Sequence, residues 1–371
     1  MGSIESEGLK SRNYIKWDAS GVEVIPPNEQ EDIKAIADQI NAIQKAQFNA
    51  HRHCFGGRTH ARTQGLVKGE LVVGDLPPHL AQSMFSRPNT YPIVMRYSTE
   101  PGDPALDDRI PQPRGLGMKV FNVDGERFDG KELSTQDIEF NSTPALDLAD
   151  AKTTKEIIDL RIKYGGDKAE LYKHLEARKD TALQKARDEV RNTHLESTRQ
   201  YSQTAYRFGD YVVKYCLVPS SETQKKLYEE TVKPDAHPDN ILSEWLKEFH
   251  TNHDAEYLFQ VQLLENLEDQ PVEYAGKVWD PEKYPWQTVA TLKIPKQDSF
   301  IAARKTFWED HMRLDPWHGL KSFQPLGSPN RLRKVVYPAS SSFRRKMNGR
   351  QELDVNNIDS IPDGGWVIGV L

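Results

Sequence analysis

The sequence predicts an α+β fold, from two patterns that alternate along its 371 residues. Short apolar, β-branched or alternating runs at 66–73, 91–99, 116–123, 211–218, 257–264 and 289–294 read as strands. Apolar residues at helical spacing fill 28–48 and 153–195 instead. No internal repeat, low-complexity tract or clear linker divides the chain. It is therefore read as one domain, 28–371, preceded by an N-terminal extension, 1–27.

Composition narrows the function classes. Lys+Arg 49 against Asp+Glu 55 gives a formal charge of −6, which argues against a general nucleic-acid partner. The local basic patch Arg344-Arg345-Lys346 suits carboxylates as well as phosphates. Two cysteines, Cys54 and Cys216, are too few for a disulfide framework, and no apolar run of about 18 residues is present to span a bilayer. The chain reads as soluble, with a cytoplasmic location expected. Its ends show neither a cleavable signal nor a Ser-Lys-Leu-type address. Met1-Gly2-Ser3-Ile4-Glu5-Ser6 fits the short N-myristoylation pattern and leaves a peripheral membrane contact open, although one acyl chain anchors only marginally.

Taken in order, Pro26-Pro27-Asn28 stops the polar leader. Asn28 with Glu31 caps a helix whose Ile33, Ile36, Ile40 and Ile43 share a face. His51, His53, Cys54 and His60 follow closely, but no second ligand pair stands at zinc-like spacing. After the strands at 66–73 and 91–99, a loop rich in Asp and Pro leads to Arg114-Gly115 and the strand 116–123. Gly165-Gly166 breaks the long helical stretch, whose dense charges suit surface helices. Residues 240–249 read as a short capped helix between two strands.

Near the C-terminal end, Arg333-Lys334-Val335-Val336-Tyr337 places an arginine one helical turn before a tyrosine, where the guanidinium favours the phenolate. Tyrosinate is one of the axial ligands that proteins give to haem iron. With Pro338 and, seven residues after Tyr337, Arg344, this segment resembles the proximal helix of haem catalases. Further segments resemble that family in the same order. They are His60-Ala61-Arg62-Thr63-Gln64-Gly65, Arg96-Tyr97-Ser98-Thr99, Pro113-Arg114-Gly115, Asn141-Ser142-Thr143-Pro144 and Lys277-Val278-Trp279.

The resemblance implies a catalase-core antiparallel β-barrel with surrounding helices and haem b buried between barrel and proximal helix. It implies Tyr337 as tyrosinate iron ligand and Arg333 as the cation that lowers its pKa. His60 becomes the proton acceptor, Asn141 a hydrogen-bond donor to bound peroxide, Arg96 and Arg344 partners of the haem propionates, and Ser98 the group that fixes the tautomer of His60. The family's C-terminal stretch of about a hundred residues or more is missing. A monomer or dimer is therefore expected rather than the catalase tetramer.

Two departures matter. Catalases place an aliphatic residue before the distal histidine, whereas the catalase-related allene oxide synthases have Thr-His, as in Thr59-His60 here. Gly57 stands where catalases have an arginine that contacts haem. The resemblance to the smaller subfamily implies a hydrophobic substrate, an organic or fatty-acid hydroperoxide, dehydrated or rearranged to an allene oxide or related product. A small catalase or peroxidase, a haem-dependent tailoring enzyme of a secondary-metabolite pathway and a non-enzymatic haem or hydroperoxide carrier remain open.

Overall fold

The computed structural model describes residues 12–51, 54, 60, 62–100, 107–128, 130 and 133–364. Nine strands occur among them: β1 (Arg62–Val73), β2 (Asn89–Thr99), β3 (Arg114–Phe121), β4 (Thr135–Asn141), β5 (Gln200–Tyr201), β6 (Tyr206–Phe208), β7 (Tyr211–Pro219), β8 (Ala255–Leu263) and β9 (Gln287–Ile294). Strands β1 to β4 form one antiparallel meander and β7 to β9 another. Pairing of β9 with β1 joins the two on one side. On the other side β5 closes the ring, with Tyr201 opposite both Asn141 of β4 and Cys216 of β7. The result is a closed eight-stranded antiparallel barrel, with β6 added on the edge of β7 that β5 leaves uncovered.

Side-chain alternation gives the barrel two unlike faces. Met95, Tyr97, Leu116, Met118, Ile138, Phe140, Tyr215 and Phe259 belong to one buried apolar cluster that fills the interior. Inside it the Tyr97 and Tyr257 hydroxyls hydrogen-bond to each other at 2.7 Å, so neither buried phenol lacks a partner. The intervening residues of β2, β3 and β4 face outward.

Eight α-helices surround the barrel among the described residues: α1 (Glu29–His51), α2 (Ala151–Tyr164), α3 (Lys168–Glu176), α4 (Thr181–Ala186), α5 (Glu222–Leu227), α6 (Ile241–Asn252), α7 (Ala302–His311) and α8 (Ser328–Asn348). The expected lead-in helix is α1. Its Ile33, Ile36 and Ile40 pack with Ile158 of α2 and with Leu332 and Val336 of α8. Helix α8 runs through Pro338, which removes one backbone donor, and ends at Gly349 in the left-handed conformation (φ +62°). Residues 12–27 lie along the barrel, where Ile15 N donates to Leu264 O and Trp17 N to Asp210 O.

The structure differs from the sequence expectation in several places. The stretch 153–195 is divided into α2, α3 and α4, each of the first two capped by an aspartate side chain, Asp150 and Asp167. β4, β5, β6, α5 and α7 are elements that periodicity did not mark. The two- and three-residue strands exist only through their ladders.

Arg331 ties α8 to its surroundings. It pairs with Glu23 at 2.7 Å, Glu29 at 2.7 Å and Glu273 at 2.6 Å, joining the N-terminal segment, α1 and the loop before β9. Arg331→Ala leaves three carboxylates clustered, one of them buried. It is expected to lower unfolding stability by about 3 kcal/mol, measured by urea denaturation. A change within experimental error would show that these pairs do not hold α8.

Candidate functional site

The register of β1 to β4 builds one wall of a large cavity. Thr63 stands opposite Ser98, Ser98 opposite Gly115, and Gly115 opposite Asn141, a single row across four strands. Because side chains alternate, Arg96 shares the outer face of β2 with Ser98, and Glu139 that of β4 with Asn141. Helix α8 forms the opposite wall through Arg333, Tyr337 and Arg344, and the space between holds about 660 Å³. Ile36 and Ile40 of α1 and Ile158 of α2 close one side with apolar surface. That size lies within the ordinary range for small-molecule and cofactor sites.

His60 enters this space immediately before β1. Its imidazole lies against Gly115, where an added Cβ would come within 2.5 Å of both Nδ1 and Cε1. Only glycine permits that approach. The His60 carbonyl accepts from Arg96 Nη2 at 2.9 Å, so the residue is anchored by its backbone. Nδ1 is buried with no hydrogen-bond partner among the described residues. The partial exposure of His60 is to the cavity. Burial, and then the charges of Arg96, Arg187, Arg333 and Arg114, push its pKa down to about 3 and keep the ring neutral.

On the facing wall, Tyr337 is the one phenol among the described cavity residues. Its hydroxyl donates to Glu139 Oε2 at 2.8 Å. Arg333, one turn earlier, reaches Asn330 Oδ1 at 3.1 Å and Thr204 Oγ1 at 3.4 Å. Burial opposes its charge, but Tyr337, Tyr206 and Glu139 more than offset this and hold its pKa above the ordinary arginine value. Arg96 and Arg344 form a cationic corner, each pushed down to about 10. Burial is the main cause in both, and for Arg344 the neighbouring Arg345 and Arg96 add to it. Arg96 Nε donates to Thr63 Oγ1 at 2.9 Å and Arg344 Nη1 to the Glu309 carbonyl at 2.8 Å. Neither has a carboxylate ion-pair partner among the described residues.

The cavity therefore brings together His60, Asn141, Arg96, Ser98, Arg333, Tyr337 and Arg344, which lie up to 284 residues apart in sequence, counting from His60 to Arg344. Thr59, like Gly57 and Arg58, lies outside the described residues. Ser98 Oγ donates to the Gly115 carbonyl at 3.2 Å rather than to His60. Asn141 Oδ1 accepts from Thr143 N and Oγ1 at 3.3 Å, which leaves its amide NH₂ group uncommitted to that turn. No cluster of three metal-ligating His, Cys, Asp or Glu side chains occurs among the described residues, and Cys54 is held by Asn348 and the Gln44 carbonyl. Of the basic patch, Arg344 and Arg345 are buried and Lys346 is exposed.

Glu139 and Arg187 are among the lining residues that sequence reasoning passed over. Glu139 is two residues before Asn141, and strand alternation was the signal that places both on one face. Arg187, just after α4, is drawn to the cavity by Glu100 at 2.5 Å and Asp147 at 3.6 Å. Nothing local in the sequence marks it.

This architecture is that of the catalases: the chain has the catalase fold. A fungal catalase superposes with a TM-score of 0.60 over 87% of this chain and 66% of its own, at 16% identity. Catalase A from Saccharomyces cerevisiae gives 0.61 over 96% and 74%, at 14% identity, and a bacterial catalase 0.59 over 99% and 68%, at 16% identity. In sequence, the chain is 25% identical over 284 residues to linolenate 9R-lipoxygenase of Nostoc sp.. That match covers 69% of this chain and 34% of the lipoxygenase, so the chain spans about a third of that protein's length. No protein-family model matches the chain. No described helix is long and apolar enough to cross a membrane.

Three histidines with lowered pKa values make stability depend on acid. His60 is pushed down to about 3, and His250 and His318 to about 4, mainly by burial. All three stay neutral in the folded chain while the unfolded chain binds protons near pH 6.5. Their contribution is thus fully present above about 6.5 and falls as pH drops toward 3–4. The urea midpoint should decrease from pH 7 to pH 4, and His250→Phe should reduce that slope. A flat profile for both proteins would contradict the assignment.

Proposed function

We propose that the chain is a haem enzyme that acts on an organic hydroperoxide. The observation that carries this reading is a neutral, buried imidazole facing a phenol across a cavity with a cationic corner. The residues present fit haem. Arg96 and Arg344 are buried guanidiniums lacking carboxylate partners, and a planar fork suits a propionate in a bidentate pair. Tyr337 offers an anionic oxygen ligand, and Arg333 stabilises its phenolate while tempering its donation.

Haem held there would supply a Lewis-acidic, redox-active iron able to cleave an O–O bond. The chain's own groups do the rest. His60, neutral across the physiological range, takes the proton of the hydroperoxide and returns it to a departing oxygen. The Asn141 amide donates a hydrogen bond to the peroxide oxygen. The Ile36, Ile40 and Ile158 surface makes one side of the cavity apolar next to α8.

Two observations favour an organic substrate over hydrogen peroxide. Thr59 precedes His60 as in the allene oxide synthases that the sequence resembles, and one hydroxyl contributing about 1 kcal/mol changes partitioning about fivefold. The relative in Nostoc sp. is named for linolenate, a polyunsaturated fatty acid whose lipoxygenation yields a hydroperoxide. The product proposed is an allene oxide or related dehydration product. The second reading is a small catalase or peroxidase, favoured by the three catalase folds that superpose on the chain.

Two rates on the purified, spectrally characterised protein separate the readings. Fast loss of the conjugated-diene absorbance of a fatty-acid hydroperoxide with little oxygen release from hydrogen peroxide is expected. Vigorous oxygen release would make the chain a catalase. His60→Ala should lower turnover by about a hundredfold with the haem spectrum retained. Unchanged turnover would overturn the role given to His60. Gly115→Ala, which drives a Cβ into the imidazole, should cost on the order of a hundredfold as well. Its unfolding midpoint should stay close to that of the unsubstituted protein, and full activity would show that His60 does not act from this position.

A further inference from the structure

The Tyr337–Glu139 hydrogen bond has no counterpart in the chemistry just described. Glu139 projects from the outer face of β4 across the cavity to α8, and its Oε2 receives the Tyr337 hydroxyl at 2.8 Å. Arg333 is close enough for its charge to be stabilised by both groups. A carboxylate inside a partly apolar cavity is costly unless such partners hold it, and an apolar side chain would line the wall at less cost. Its position is therefore informative. The oxygen that would ligate a metal is the oxygen that Glu139 engages, and a ligand cannot take Tyr337 without displacing that contact.

We propose that Glu139 is a loading gate: a carboxylate that caps the ligand oxygen of Tyr337 and competes with haem for it. The inference rests on the reading of Tyr337 as the haem ligand. Glu139 and Asn141 both line the cavity from β4, so the capping carboxylate and the Asn141 amide project from one strand. Glu139 acts here as a positioning residue, setting how readily the site accepts its cofactor rather than touching the reacting bond.

Length is the discriminating variable. Glu139→Asp keeps the charge and shortens the reach by one methylene, whereas Glu139→Val removes both charge and contact. The full-length chain and these two variants would be titrated with hemin at neutral pH, following Soret absorbance for affinity and the tyrosinate charge-transfer band for ligation. Both variants are expected to bind hemin about tenfold more tightly or faster, as removal of a competing charge-assisted hydrogen bond requires, with the same final spectrum. A purely supporting residue would give the opposite sign. Equal or weaker binding by both variants, or loss of the tyrosinate band, overturns the gate, and so does tighter binding by Glu139→Val alone, which would assign the effect to charge. If the unsubstituted chain takes no hemin while both variants do, the gate stands and dominates. If none of the three binds hemin, the gate and the haem reading both fail. Retained hemin binding with unchanged affinities removes only the gate.

Discussion

Register across the first meander governs the site, because a barrel strand can present a residue either to the packed interior or to the outer cavity and never to both. Arg96, Ser98, Gly115, Gly117, Glu139 and Asn141 all occupy outward positions, while Tyr97, Leu116, Ile138 and Phe140 between them fill the core. A slip of one residue in any of these pairings would bury a charge and expose an aromatic ring, so core packing enforces the arrangement of polar groups. The functional row is in this sense a by-product of a hydrophobic constraint. It needs no polar contact of its own to stay aligned.

The second wall depends on a different device. Helix α8 carries Tyr337 and Arg333 one turn apart, and what fixes their distance from the barrel is the packing of Leu332 and Val336 against the α1 isoleucines, together with Arg331 and its three carboxylates. The apolar contacts set the face that α8 presents, and the ion pairs, being directional, set its position along its axis. Residues 12–27 take part through Glu23, so the segment expected as an extension is tied to the helix that faces the cavity.

Electrostatics inside the cavity follow from burial more than from contact. Arg96, Arg114 and Arg344 are all depressed mainly because they are removed from water, and the charges of Arg96, Arg187, Arg333 and Arg114 add to burial in keeping His60 neutral. A cavity with this surplus of positive charge on one rim attracts an anionic group there and discourages protonation of its imidazole. Among the carboxylates that also line the cavity, Glu100 and Asp147 pair with Arg187, whereas Glu139 crosses to Tyr337 on the α8 wall.

By itself the sequence determined the α+β class, six of the nine strands and the lead-in helix, since each carries a period that only one secondary structure satisfies. The resemblance to haem catalases, carried by short motifs in a fixed order, named His60, Asn141, Arg96, Ser98, Arg333, Tyr337 and Arg344, which all line one cavity, and Thr59, which lies outside the described residues. β4 was missed as a strand because residues 135–141 show just two large apolar side chains, Ile138 and Phe140, between polar ones. β5 and β6 have no signal beyond their partners. What the tertiary structure alone decided is which residues meet across the space: the imidazole on Gly115, the carboxylate of Glu139 on Tyr337, and Arg187 held toward the cavity by Glu100 and Asp147. Those contacts join residues far apart in the chain, and local periodicity carries no information about distances that only barrel closure and helix docking create.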